Sequence, residues 1–173
     1  CIIDAMTYSG FDKRGVLIAN KTIVEGNETQ DPYLTKDQSK NVERIIKLEK
    51  GKRIGIEDIE IIAQETINKD KNAVGFKIIT PSSIIGYTSN TRYSAVIAEQ
   101  YKDVDILILQ TETPDDEPSE QSLSKEEAIK FIEKCSPKLA VITGFGLKML
   151  KADPLHQARL IQKQTKVQTI AAK

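Results

Sequence analysis

One histidine and two cysteines are the entire stock of imidazole and thiol groups in the 173 residues. Zinc-type centres need such donors to converge in threes or fours, so a site built from several imidazoles of this chain is excluded. Cys1 and Cys135 stand far apart, in neither metal-like nor redox-motif spacing. Cys135 reads as a core residue on a helix face. His156 follows Asp153-Pro154, a helix start, and reads as a surface histidine in the first turn. Ser89, Ser122 and Ser124 have no His/Asp partner with which to form a nucleophilic triad. Gly144-Phe145-Gly146 lacks the phosphate-loop pattern and reads as a backbone turn. In Thr113–Gln121, Asp115, Asp116, Glu117 and Glu120 are broken by Pro114 and Pro118; charge runs of this kind are usually solvated loops.

Composition narrows the class further. Lys and Arg number 25 against 25 Asp and Glu, for zero net charge, with 39% hydrophobic residues. No basic field exists to draw in a phosphate backbone, which argues against a dedicated nucleic-acid binder. The longest apolar runs, such as Ile106–Leu109, fall far short of the about 20 residues that span a membrane. The length is that of one domain able to bury a core without staples. Nothing demands a disulfide, so a reducing cytoplasm is expected. Cys1 is not an initiator Met and no charged-then-apolar leader follows it; the expectation is a fragment, a processed product or a trimmed chain without a secretory signal.

Hydrophobic periodicity supplies the positioning elements. Cys1–Ser9 has helical spacing and ends at Gly10. Val16–Ala19 and Thr22–Glu25 read as short strands joined at Asn20-Lys21, and Asn27–Ser39 as a loop. Val42–Leu48 is a strand; Arg53–Ile56 and Ile59–Ala63 form a hairpin about Glu57-Asp58; Ala73–Ile79 and Ile84–Thr88 repeat it about Pro81-Ser82-Ser83. The first half is thus expected to be a meander. Arg92–Lys102 reads as a helix with Tyr93, Val96, Ile97 and Tyr101 on one face, and Ser89 or Asn90 as its cap. Val104–Leu109 and Leu139–Thr143 are buried strands. Between them Ser124-Lys125-Glu126-Glu127 is a capping box, followed by Ala128, Phe131, Ile132 and Cys135 on one helical face. Asp153-Pro154 starts a last helix running to about Thr165, and Thr169–Ala171 a last strand. Strands first, then alternating strands and helices, give an α/β layered domain.

The stretch Ala73-Val74-Gly75-Phe76-Lys77-Ile78, followed by Ile84-Ile85-Gly86-Tyr87-Thr88-Ser89-Asn90-Thr91, resembles the second half of a metallo-β-lactamase-superfamily domain. There a strand pair of the form VGF-(K/R)-I…IGYTSDT ends in a metal-bridging aspartate. Glu126-Glu127-Ala128-Ile129, and Pro137-Lys138-Leu139-Ala140-Val141-Ile142-Thr143-Gly144-Phe145-Gly146, resemble the family's downstream helix and last metal strand, which usually reads L-A-V-(I/L)-T-H-F. Thr165–Ala172 is similar to its closing segment. The likeness reaches back through Phe11-Asp12-Lys13-Arg14-Gly15 and is nearest the prokaryotic, particularly archaeal, hydrolase-like members.

The resemblance implies a partial αββα sandwich of mixed sheets flanked by helices. It would be a single domain over residues 1–173 that lacks its first strands and the H-x-H-x-D-H loop. It also implies where ligands should stand: a third histidine near Asn68-Lys69, the bridging aspartate at Asn90, the last histidine at Gly144, and a further histidine within Gln121-Ser122-Leu123. None of these positions holds an imidazole or, at Asn90, a carboxylate. Asn68, Asn90 and Gly144 are therefore vestigial ligand positions, no metal or other cofactor is expected, and the role expected is non-catalytic binding or assembly. The alternative is a metal-dependent hydrolase of ester or phosphodiester type, holding zinc or similar ions through ligands from an absent N-terminal part or a partner chain. Missing first strands would leave sheet surface open, so a homo-oligomer or a partner chain is expected to cover it.

Overall fold

The computed structural model describes residues 2–114 and 122–172. The acidic residues Asp115, Asp116, Glu117 and Glu120, and Cys1, lie outside the described residues. The chain divides into two compact units, Cys1–Lys50 and Gly51–Lys173.

In the first unit, α1 (Ile2–Met6) leads through a short 3-10 turn to β1 (Val16–Asn20). The β-branched run after it does not extend as a strand. Asn20 accepts a hydrogen bond from Ile23 N at 3.0 Å and caps α2 (Lys21–Glu25), which Gly26 closes. The polar stretch read as a loop contains α3 (Lys36–Asn41), nucleated by a reciprocal capping box between Thr35 and Gln38. β2 (Arg44–Leu48) then pairs with β1 in parallel, Ile18 opposite Ile46. The first strands are thus a parallel pair, and the expected meander begins only after them.

The second unit is built on an eight-stranded mixed sheet. β3 (Arg53–Ile56), β4 (Ile59–Glu65), β5 (Val74–Ile79) and β6 (Ile84–Tyr87) form the antiparallel meander, with the predicted hairpin turns. β7 (Ile106–Thr113), β9 (Leu139–Thr143) and β10 (Gln168–Ala171) extend it in parallel beyond β6, and two-residue β8 (Leu123–Ser124) pairs off the end of β7. Three helices supply the core layer: α4 (Ala95–Glu99), α5 (Lys125–Cys135) and α7 (Pro154–Thr165). A short α6 (Leu147–Lys151), not anticipated from periodicity, follows β9. Ser94, not Ser89 or Asn90, caps α4, because the chain stays extended for several residues after β6. On α4 it is Ile97, Ala98 and the following Tyr101 that are buried, while Val96 points outward at 73% exposure.

The capping box of α5 forms as its sequence dictates: Ser124 Oγ accepts from Glu127 N, and Glu127 Oε2 accepts from Ser124 N. Ser124→Ala is expected to cost about 1 kcal/mol, read as a lowered urea midpoint. Ala128, Phe131, Ile132 and Cys135 lie in the core with Leu107, Leu109, Ala140 and Ile142 of the sheet. Burial pushes the Cys135 thiol up to about 12, so it is an inert core residue.

Alternation assigns the other sheet face by register. One row crosses it as Ile61, Ile78, Ile85, Ile106 and Leu139. The next runs Phe76, Tyr87, Ile108, Val141 and Ile170. None of these ten side chains is fully buried, whereas Leu107, Leu109, Ala140 and Ile142 on the helical face are.

Candidate functional site

The strands β4, β6, β7 and β9 run in one direction and deliver the sequence-predicted positions to one end of the sheet. In α/β sheets this carboxyl end is where ligands bind. Asn68 lies on the β4–β5 loop, Asn90 just after β6, and Gly144 just after β9.

Asn68 and Asn90 meet. Asn68 Nδ2 donates to the Asn90 carbonyl at 2.8 Å, and Asn68 Oδ1 accepts from Asp70 N at 3.0 Å. Beside them, Thr91 Oγ1 accepts from Ile67 N at 2.9 Å, and Arg92 N donates to the Ile67 carbonyl. The two loops are laced by main-chain groups, and the Asn68 amide is spent on that lacing.

Gly144 is occupied in a different sense. Its φ is +68°, and a Cβ placed on it would lie 3.0 Å from Gln110 Cγ and 3.1 Å from Gln110 Cβ. Gln110, on β7 opposite Thr143, fills that space and donates through Nε2 to Tyr87 Oη at 2.8 Å. Two residues on, Glu112 closes the adjoining space: its carbonyl accepts from Gly146 N, and its Oε2 accepts from Ser122 Oγ. Ser122, at one of the expected histidine positions, is 1% exposed. Gln110, Glu112 and Tyr87 were not singled out from the sequence. The available signal was the polar pair that follows the apolar run at the end of β7.

His156 stands exposed in the first turn of α7, as expected. A groove of about 470 Å³ borders Gly144, lined by Phe145, Leu150, Asp153, Pro154 and Ala172. Among the described residues no three His, Cys, Asp or Glu side chains are grouped to hold a metal ion, and no helix is long and apolar enough to cross a membrane.

No protein-family model matches the chain. An uncharacterized protein of Methanocaldococcus jannaschii is 28% identical over 174 residues, and the match covers 99% of this chain but 65% of that protein. The chain thus spans about two thirds of that relative's length. Among solved structures, the metallo-β-lactamase fold protein YhfI of Bacillus subtilis superposes with a TM-score of 0.78 at 12% identity, over 99% of this chain and 68% of that one. Igni18, a metallo hydrolase of Ignicoccus hospitalis, gives 0.67 at 13% identity over 99% and 70%. A diphosphatase of the PhnP family gives 0.68 at 14% identity over 95% and 58%. The chain has the metallo-β-lactamase fold. The residues at the expected ligand positions do not fit the metals of that fold: Asn90 offers no carboxylate, the Asn68 amide is committed to the loop lacing, and Gly144 has no side chain.

Proposed function

We propose that this chain is a degenerate metallo-β-lactamase-fold protein, a single domain with a non-catalytic binding or assembly role in the cytoplasm. The observation that supports the reading is the residue set at the expected ligand positions: Asn90 in place of a carboxylate, Asn68 tied to the Asn90 carbonyl, and Gly144 crowded on one side by a Gln110 that is itself tied to Tyr87. A vacated but open site would be consistent with ligands borrowed from elsewhere. A site whose surroundings are taken up by Gln110, Tyr87 and Glu112 has been absorbed into the fold. Phosphodiester and ester hydrolysis, assayed with added Zn²⁺ or Mn²⁺, is expected to stay at the rate of the metal in buffer; chelator-sensitive turnover would overturn the reading.

The apolar sheet face supports the assembly half of the proposal. Ten aliphatic and aromatic side chains in two adjacent rows are only partly buried, with Ile170 exposed; apolar surface of this kind supports an interaction site. A second copy or a partner chain covers it, with no role for nucleic acid or a membrane. Light scattering should find an oligomer, and a monomer at high concentration would count against a second copy.

A second reading has one observation in its favour. Because the chain spans 65% of its relative, the relative's remaining third has room for an H-x-H-x-D-H loop that would hold zinc or a similar ion. The chain would then be the larger part of an ester or phosphodiester hydrolase. Adding that segment would have to restore metal-dependent turnover despite Asn90 and Gly144.

A further inference from the structure

Strand β3 ends the eight-stranded sheet: β4 pairs with one side of it, and among the described residues no strand pairs with the other. An open edge is a template for a further strand. The register sets Ile54 opposite Ile61 and Ile56 opposite Ile59, and Ala63 N donates to the Lys52 carbonyl at 2.9 Å. Antiparallel ladders alternate their bonded pairs, so Ile54 and Ile56 turn their main-chain groups toward β4. The N–H and C=O groups of Arg53 and Gly55 therefore point outward from the sheet.

Arg53, Gly55 and Ile56 are exposed, as are the turn residues Glu57 and Asp58. Nothing within the chain requires a glycine at position 55. Its φ is not positive, and a Cβ built there meets no heavy atom within 4 Å. Glycine weakens a strand interior and often marks a place where another backbone approaches closely. Around it the sequence reads Lys52-Arg53-Ile54-Gly55-Ile56-Glu57-Asp58. Reversed about the glycine, this segment sets isoleucine against isoleucine and each basic residue against an acidic one.

We propose that β3 pairs antiparallel with β3 of a second copy, about a two-fold axis at Gly55. Gly55 faces Gly55 of the second copy, and their outward main-chain groups exchange both hydrogen bonds of a bonded pair. Ile54 faces Ile56 of the second copy, and Arg53 stands beside Glu57 of that copy at its turn. Arg53 already pairs with Glu60 at 3.0 Å, and the five donors of a guanidinium serve both carboxylates. Ile54 shares the sheet face of Ile61, so the pairing runs the open apolar face across both copies. The contact lies at an edge rather than over that face; it goes beyond the reading above and holds whatever covers the face.

Sedimentation velocity of the purified protein over a range of concentrations is the test. Four residues of edge make a contact well below standard interface size, so a monomer–dimer equilibrium with a Kd on the order of 100 µM is expected. Arg53→Glu and Glu57→Lys each set like charges opposite one another twice in the symmetric dimer, and each should weaken it by about tenfold or more. Mixed in equal amounts, the two variants regain both opposite-charge pairs, and the dimer should return at close to the parental affinity. Melting curves of the single variants check that they fold. A parent that stays monomeric up to about 1 mM overturns the proposal, and so does a mixture that associates no better than its components. Association undiminished in both single variants also overturns it, by placing the contact elsewhere, and leaves the assembly reading standing.

Discussion

Gly144→His, which restores the residue expected at the family's last ligand position, should destabilise the protein by about 2–5 kcal/mol and create no metal site. Two separate costs add. At a φ of +68° any side chain incurs about 1–2 kcal/mol that glycine escapes. The new Cβ also lies 3.0 Å from Gln110 Cγ, and overpacking of this kind costs about 1–3 kcal/mol. A double-mutant cycle separates them. Gln110→Ala should relieve the overlap and recover only that share, because the backbone cost remains. Urea unfolding of the four proteins in the cycle checks this. A Gly144→His variant as stable as the parent would mean that the position is still open. Adding Asn90→Asp supplies a carboxylate, but Asn68 remains tied to the Asn90 carbonyl.

Gly75→Ala should be at least as damaging, by about 3 kcal/mol or more. Gly75 is buried on β5, and a Cβ there would overlap Tyr101 Oη and lie 2.7 Å from the Tyr87 carbonyl oxygen. Tyr101 cannot step aside. It is 0% exposed, its ring centroid is 5.7 Å from that of Phe131, and its Oη donates to the Tyr87 carbonyl at 3.2 Å. Burial pushes its phenol well above the usual range, so it remains the neutral donor. Tyr101→Phe in the Gly75→Ala background removes the worst overlap and should return part of the loss, while the backbone clash with Tyr87 stays. Thermal melts of the single and double variants read the difference.

Local chemistry explains which elements were legible. The α5 capping box, Asp153-Pro154 at the start of α7 and the unbroken run of β7 are each set by residues in contact along the chain. Thr22–Glu25 misled because its β-branched residues point to a strand, whereas the Asn20 cap and Gly26 close it into a helix turn. α3 was hidden because Thr35 and Gln38 nucleate it without any apolar periodicity. At the site, Asn68, Asn90 and Gly144 were legible as positions through resemblance, and the structure does bring Asn68 and Asn90 together. What filled the space at Gly144 was not legible. The answer depends on β7 lying beside β9 with Gln110 opposite Thr143, a register set by long-range pairing rather than by the residues around either position.

On the proposed reading, this chain has lost the metal-ligand set of its fold. Metal analysis of the purified protein, after saturation with Zn²⁺ and exhaustive dialysis, tests it most directly. No stoichiometric zinc should be retained. Stoichiometric zinc that is lost on substitution of Asn68 or Asn90 would contradict it.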